Sequence, residues 1–411
     1  MWSSRWGWFL LAAVLCGAAQ WRAYNYDESK VGAYTLPDAL VTEKGRPVRT
    51  ARDWQRTRRP ELIKLFESQM FGRTPGGHTA ARVAVTSDDG RRKQVTLAFG
   101  GPDGPQLHLL LYLPAGRKGP VPVFLGLNFS GNHTVAADPG ITIYPTWSRQ
   151  VKSLPAESSR GSNASAWQVD QLLARGYGLA TIYYGDIEPD FDGGLPYGVR
   201  APFLKPGQKE FASDEWGALA AWGWGLSRAM DYLATDPAVD AHRVALMGHS
   251  RLGKAALWAA ALDPRFAMVI SNESGEGGAA LSRRDYGETI EHLNVAFPHW
   301  FCRNYRQYTG HPERLPFDSH ELLALTAPRP LYVASAEGDQ GSDPKGEFLG
   351  AWNAGPVYKL FGKQGLQSAE MPPLQHPVGQ TVAYHIRGGK HDVTEYDWQQ
   401  YLRFADVHLQ P

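Results

Sequence analysis

The chain has 411 residues, of which 43% are hydrophobic and 20% charged, enough for a sizeable α/β core. Its formal net charge is +1 with no basic block, so neither nucleic acid nor an anionic membrane is implied as a partner. The 14 tryptophans serve either core packing or, in a secreted protein, stacking against sugars.

Residues 1–19 carry the pattern of a signal peptide: Arg5 precedes a short apolar run, and Gly17 and Ala19 sit where a peptidase would cut. The run is short for a membrane span, and bulky Leu15 argues against a lipoprotein reading through Cys16. Cleavage leaves Cys302 as the sole cysteine, so no intrachain disulfide forms. Residues 20–411 are read as one domain, secreted or periplasmic and monomeric.

From residue 20 to 62 clean periodicity is lacking, which suggests a wrapping N-terminal arm; residues 51–71 contain a helix with Leu62, Ile63, Leu65 and Phe66 apolar. Residues 82–100 alternate like a strand, and 107–113 and 121–127 are two more. Residues 166–175 are amphipathic and stop at Gly176, and 178–183 form a buried strand. The segment 185–211 is a long loop rich in Gly, Pro and Asp, of the kind that usually carries function. A helix over 215–234 feeds a strand at 244–247, a sharp turn at Ser250 and a helix through Ala255, Ala256, Leu257 and Trp258. Strands follow at 268–272, 330–335 and 381–386, and a helix at 396–405 closes the chain. The alternation predicts a mostly parallel sheet covered on both faces, with no internal repeat.

The strand–turn–helix around Gly248-His249-Ser250-Arg251-Leu252-Gly253-Lys254 has the layout of a nucleophile elbow, although the second glycine comes one place late. Such a turn exposes a serine hydroxyl beside a helix N-terminus, whose partial positive charge favours an oxyanion. A serine needs an imidazole to take its proton and an acid to orient that imidazole. In chain order the acid and then the histidine follow the nucleophile. Of 13 histidines, His391, after the last strand in Arg387-Gly388-Gly389-Lys390-His391-Asp392, has the right position. Two acids remain open: Glu273 after the strand at 268–272 and Asp339 after the strand at 330–335. Glu337 and Asp343 are read as solvated loop charges. No His/Cys/carboxylate spacing suits a metal and no glycine loop suits phosphate, so no metal or cofactor is expected. Sequons at Asn128, Asn132, Asn163 and Asn272 are read as chance matches.

The blocks Asn128-Phe129-Ser130-Gly131-Asn132-His133, Gly248 to Lys254, Arg283-Arg284-Asp285-Tyr286-Gly287-Glu288-Thr289 and His299-Trp300-Phe301 resemble bacterial glucuronoyl esterases, a carbohydrate esterase family. So do Asp343-Pro344-Lys345-Gly346-Glu347, His391-Asp392 and Asp397-Trp398, and the likeness spans roughly residues 35 to 408. It implies an α/β-hydrolase fold, a three-layer sandwich. Ser250 matches the family nucleophile, His391 its base, and Glu273 or Asp339 its acid. The resemblance further assigns Arg251 to the oxyanion hole, and Lys254 and Glu288 to the hydroxyls of the glucuronoyl ring. One departure is Gly341, where the family commonly has a tryptophan beside the sugar. The expected reaction is metal-independent hydrolysis of 4-O-methyl-glucuronoyl esters, the lignin–carbohydrate links of glucuronoxylan, through a glucuronoyl-enzyme. An acetyl-xylan or general carbohydrate esterase is the alternative enzyme. An inactive hydrolase fold that binds sugar is the alternative of another class.

Overall fold

The computed structural model describes residues 23–75, 80–101 and 103–409, so the signal-peptide reading lies outside the described residues. Twelve strands are assigned among the described residues. They are β1 (Arg82–Asp88), β2 (Arg92–Ala98), β3 (Gln106–Tyr112), β4 (Val121–Asn128), β5 (Thr146–Ser148) and β6 (Val151–Ser153). The others are β7 (Gly178–Tyr183), β8 (Val239–His249), β9 (Met268–Asn272), β10 (Leu331–Ala336), β11 (Val378–Gly379) and β12 (Val382–Arg387). Ten of them make one sheet in the order β1-β2-β3-β7-β4-β8-β9-β10-β12-β11, and β5 and β6 form a separate hairpin.

The six strands from β7 to β12 in that order are all parallel to their neighbours, as the strand–helix alternation requires. The edges are antiparallel: β1, β2 and β3 on one side, β11 on the other. Along the buried strands successive side chains enter opposite cores. Leu331 and Val333 pack in one and Tyr332 and Ala334 in the other, as do Val244 and Leu246 against Ala245 and Met247. The first core is covered by residues 51–71 and the helices Ala218–Leu233, Arg251–Leu262 and Pro344–Leu360. The second is covered by the helices Val169–Ala174 and Glu395–His408. The result is the three-layer sandwich of an α/β-hydrolase fold.

Two expectations are corrected. Residues 82–100 are a hairpin, because Asp89 Oδ1 accepts the amides of Arg91 (3.0 Å) and Arg92 (2.6 Å) and closes a turn at Gly90, φ 84°. The helix at 166–175 is two short pieces, Ala164–Trp167 and Val169–Ala174, broken where Gln168 takes a left-handed φ of 44°. Most described tryptophans are core: Trp54, Trp216, Trp222, Trp258 and Trp398 are fully buried. Of the sequon asparagines, Asn128, Asn132 and Asn272 are buried with their amides donated inside the protein. Cys302 is buried and unpaired.

Candidate active site

The elbow is built by close backbone approach. Ser250 sits at φ 57°, ψ −133°, between β8 and the helix Arg251–Leu262, and its N–H donates to Asn272 O on β9 at 2.9 Å. A non-glycine residue in that region costs roughly 1–3 kcal/mol. The late second glycine has a geometric reason. A Cβ on Gly248 would lie 2.2 Å from Leu252 O, and one on Gly253 would lie 2.9 Å from Ser274 Cβ. Both positions must stay bare for strand, turn and helix to close.

Neighbouring strand ends bring the base and both acids together. Strands β9, β10 and β12 are adjacent, and Glu273, Asp339 and His391 follow them in turn. His391 Nδ1 lies 2.6 Å from Asp339 Oδ2 and 3.1 Å from Glu273 Oε2. Burial alone would lower the His391 pKa, but the hydrogen bonds and charges of these two carboxylates outweigh it and push it up to about 9. Burial pushes Glu273 up to about 7, against the pull of His391 and Arg387. Asp339 is held below its ordinary value, because its hydrogen bond and charge contact with His391 outweigh its burial. Ser250 and His391 line one cavity of about 340 Å³, although no hydrogen bond joins Ser250 Oγ to the imidazole among the described residues. Such contacts often tighten only once substrate is bound.

A second layer fixes the acids. Arg387 Nη2 donates to Glu273 Oε1 at 2.5 Å and Arg387 Nε to Asp397 Oδ2 at 2.8 Å, while Asp397 Oδ1 meets His385 Nε2 at 2.8 Å. Glu347, buried, accepts from Gly275 N (2.9 Å) and Ser335 Oγ (2.6 Å) and so ties down the loop after Glu273. Asp343, expected to be a solvated loop charge, is instead buried: it accepts from Arg284 Nε at 2.8 Å and caps the helix Pro344–Leu360 at Gly346 N. Glu337 is exposed, as expected.

Arg251, next after Ser250, is held by Asp190, to which it donates a short hydrogen bond. The other oxygen of Asp190 accepts from His299 Nε2 (2.8 Å) and Trp300 Nε1 (2.7 Å). These contacts outweigh burial and hold Asp190 at a pKa of about 2. The guanidinium lies 5.0–5.8 Å from the ring centroids of Phe129, Phe297 and Trp300, and its buried Nε has no acceptor among the described residues. Asp190 was not singled out in the sequence. Its only signal was membership of the long Gly/Pro/Asp loop.

Lys254 is buried, 5.6 Å from the Trp300 ring centroid, with no salt bridge or hydrogen bond among the described residues. Burial lowers its pKa, opposed by the charge of Glu288. Glu288 is half-buried, and its N–H donates to Gly341 O at 2.8 Å. Lys254 and Glu288 thus feel each other's charge without closing an ion pair among the described residues.

One group with metal-compatible spacing emerges that the sequence did not reveal. Ligand atoms of His249, Glu273 and His391 lie within 4.8 Å of one another. Their near atoms are engaged in the protein's own hydrogen bonds. His249 Nδ1 meets Asn272 Oδ1 at 2.6 Å, and Glu273 Oε2 accepts from Asp392 N at 3.1 Å and faces His391. A cation here would displace the contacts that orient the imidazole.

A family model described as "Glucuronyl esterase, fungi" matches residues 210–362. The carbohydrate esterase MZ0003, from an unknown prokaryotic organism, is 48% identical over 407 residues, covering 95% of this chain and 93% of that protein. The 4-O-methyl-glucuronoyl methylesterase of Schizophyllum commune is 29% identical over 305 residues, 72% of this chain and 66% of that protein. The solved glucuronoyl esterase from Solibacter usitatus is 57% identical with a TM-score of 0.91, covering 93% of this chain and 100% of that one. With nearly its whole length aligned to the prokaryotic carbohydrate esterase and to the Solibacter usitatus enzyme, the chain belongs to the glucuronoyl esterase family.

Proposed function

We propose that this protein is a metal-independent serine esterase that cleaves 4-O-methyl-glucuronoyl esters on glucuronoxylan, releasing the alcohol of a lignin–carbohydrate link. Residues 20–411 act as one catalytic domain behind a cleaved leader, in the periplasm or outside the cell. No helix of the described residues is long and apolar enough to cross a membrane.

His391 takes the Ser250 proton as Oγ attacks the C6 carbonyl carbon of the uronate. Asp339 and Glu273 stabilise the imidazolium from Nδ1. The oxyanion meets the Arg251 guanidinium and the backbone amides of Arg251 and Leu252, since those of Gly253 and Lys254 already donate to Ser250 O. His391 then returns its proton to the leaving alcohol, and a water deprotonated by the same imidazole hydrolyses the glucuronoyl-enzyme. Lys254 and Glu288 hold the hydroxyls of the uronate ring on the β9 side of Ser250. The alcohol lies on the β4 side, in the cavity walled by Leu127, Phe129, Ala166, Trp167, Met247 and Val393. Those apolar walls suit an aromatic alcohol.

The observation that carries this reading is His391 Nδ1 within 3.1 Å of two carboxylates while sharing a cavity with the elbow serine. An inactive sugar-binding protein has no use for that arrangement. The deciding assay compares turnover of methyl 4-O-methylglucuronate and of an acetylated xylo-oligosaccharide by wild type and Ser250→Ala. Wild type should favour the uronate ester, and Ser250→Ala should lose roughly 10⁴-fold or more in kcat with an unchanged circular dichroism spectrum. Preference for the acetate would favour the general esterase. No turnover of either would favour the binding protein.

A further inference from the structure

The N-terminal arm reaches the uronate side of the site. Asn25 and Gly287 form an antiparallel bridge, in which Gly287 N donates to Asn25 O at 2.8 Å and Asn25 Nδ2 to Asp285 O at 2.6 Å. In antiparallel pairing the residues flanking a bridge fall opposite one another and on the same face. Tyr26 is therefore opposite Tyr286, and Tyr24 opposite Glu288. The ring contacts agree: Tyr26 meets Tyr286 edge-on at 6.1 Å, and Tyr24 stacks on His292 at 4.1 Å. Tyr24 and Tyr26 lie nearly parallel, 12° apart with centroids 5.9 Å from each other. The arm is pinned just beyond, where Glu28 accepts from Arg284 Nη2 and lies 3.3 Å from Lys345 Nζ.

The two rings are docked but not covered: Tyr24 is 42% and Tyr26 54% exposed. Glu288 N is bonded to Gly341 O, and a Cβ built on Gly341 would meet nothing nearer than Asp339 Oδ1 at 3.8 Å. Burial and the charge of Glu288 raise both phenol pKa values, and Asp339 adds to the effect on Tyr26.

We propose that Tyr24 and Tyr26 form an aromatic subsite beside Glu288 that takes a pyranose ring of the xylan chain carrying the uronate. This rests on the glucuronoyl esterase reading above. Aromatic faces suit the C–H face of a sugar and the phenol hydroxyls suit its hydroxyls, next to the uronate that Glu288 holds. The apolar cavity on the β4 side already suits an aryl alcohol. The arm thus supplies aromatic surface near the place where Gly341 leaves none.

The test compares wild type with Tyr24→Ala/Tyr26→Ala on three esters: methyl 4-O-methylglucuronate, its benzyl ester, and the methyl ester of the same uronate carried on xylotriose. The double variant should raise KM about tenfold for the xylotriose substrate alone, with kcat unchanged. The two monosaccharide esters should stay within about twofold of wild type on the same grounds. Tyr24→Phe/Tyr26→Phe, which keeps the faces, should retain most of the affinity. A selective loss on the benzyl ester would assign the rings to an aryl group, and an equal loss on all three would make them structural; either overturns the proposal. Tyr26→Ala alone, whose ring reaches the body of the protein through the edge of Tyr286, is read the same way if the double variant melts early. If wild type cleaves no uronate ester, the function is wrong but the subsite is still tested. Calorimetric binding of the unesterified 4-O-methylglucuronosyl-xylotriose should then weaken in the double variant, and unchanged binding would overturn the subsite.

Discussion

Arg387 donates to the Glu273 carboxylate at 2.5 Å from behind, while His391 meets the same carboxylate at 3.1 Å from the front. Glu273 is thereby aimed at the base by a buried cation, and Asp339 meets the same Nδ1 at 2.6 Å without that support. Two acids on one nitrogen predict redundancy. If either can hold the imidazolium, Glu273→Ala or Asp339→Ala alone should cost well under the roughly 10⁴-fold of a single-acid triad, and the double variant should approach that loss. Measuring kcat on methyl glucuronate for all four proteins decides it. A single variant as inactive as the double would assign the role to one acid.

The same pair sets the pH dependence. A general base works only when neutral, so kcat/KM should rise with pH as His391 loses its proton. The two carboxylates raise the His391 pKa to about 9, against the effect of burial. Asp339→Asn removes one negative charge and one acceptor, so the rising limb should move to lower pH even as the maximum rate falls. A limb that stays put or moves up would show that Asp339 does not govern the titration.

Asp190 is predicted to set the position of Arg251. In Asp190→Asn the guanidinium loses its anion, and kcat should fall by about 10- to 150-fold, the worth of a hydrogen bond to a charged group, with a smaller change in KM. Asp190→Ala also strands His299 and Trp300, so it should lower Tm, whereas the Asn variant should largely hold it. Equal kcat and KM effects in both variants would point to general disruption.

Lys254→Ala and Glu288→Ala should weaken hydrolysis of uronate esters by about 10- to 150-fold in kcat/KM and leave a plain acetate ester much less affected. Only a substrate that carries the ring can lose contacts to it. Equal losses on both esters would make the two residues structural.

Much of this site was legible in the chain because the carboxyl ends of the parallel strands β9, β10 and β12 are consecutive in space as well as in sequence. That is why loop positions alone nominate Glu273, Asp339 and His391 and allow both carboxylates to reach one imidazole, while only the fold shows that both meet the same nitrogen, Nδ1. Asp190 was hidden for the opposite reason. It sits in an irregular loop with no periodicity, and its value lies in partners 61 and 109 residues away, Arg251 and His299. Tyr24 and Tyr26 were hidden because one bridge to Gly287, about 260 residues distant, gives the arm its place. The β1–β2 hairpin was missed where Asp89 folded its own turn inside a run that alternates like one strand.

The left-handed backbone of Ser250 has a consequence for how this protein responds to selection. A glycine at that position adopts φ 57°, ψ −133° without the steric penalty that a serine bears. Ser250→Gly should therefore be about 1 kcal/mol more stable than wild type, after the greater freedom of glycine in the unfolded chain is discounted, and wholly inactive. A library screened only for folding or heat resistance would enrich catalytically dead chains at this one codon. Any effort to toughen the enzyme must keep a turnover assay in every round.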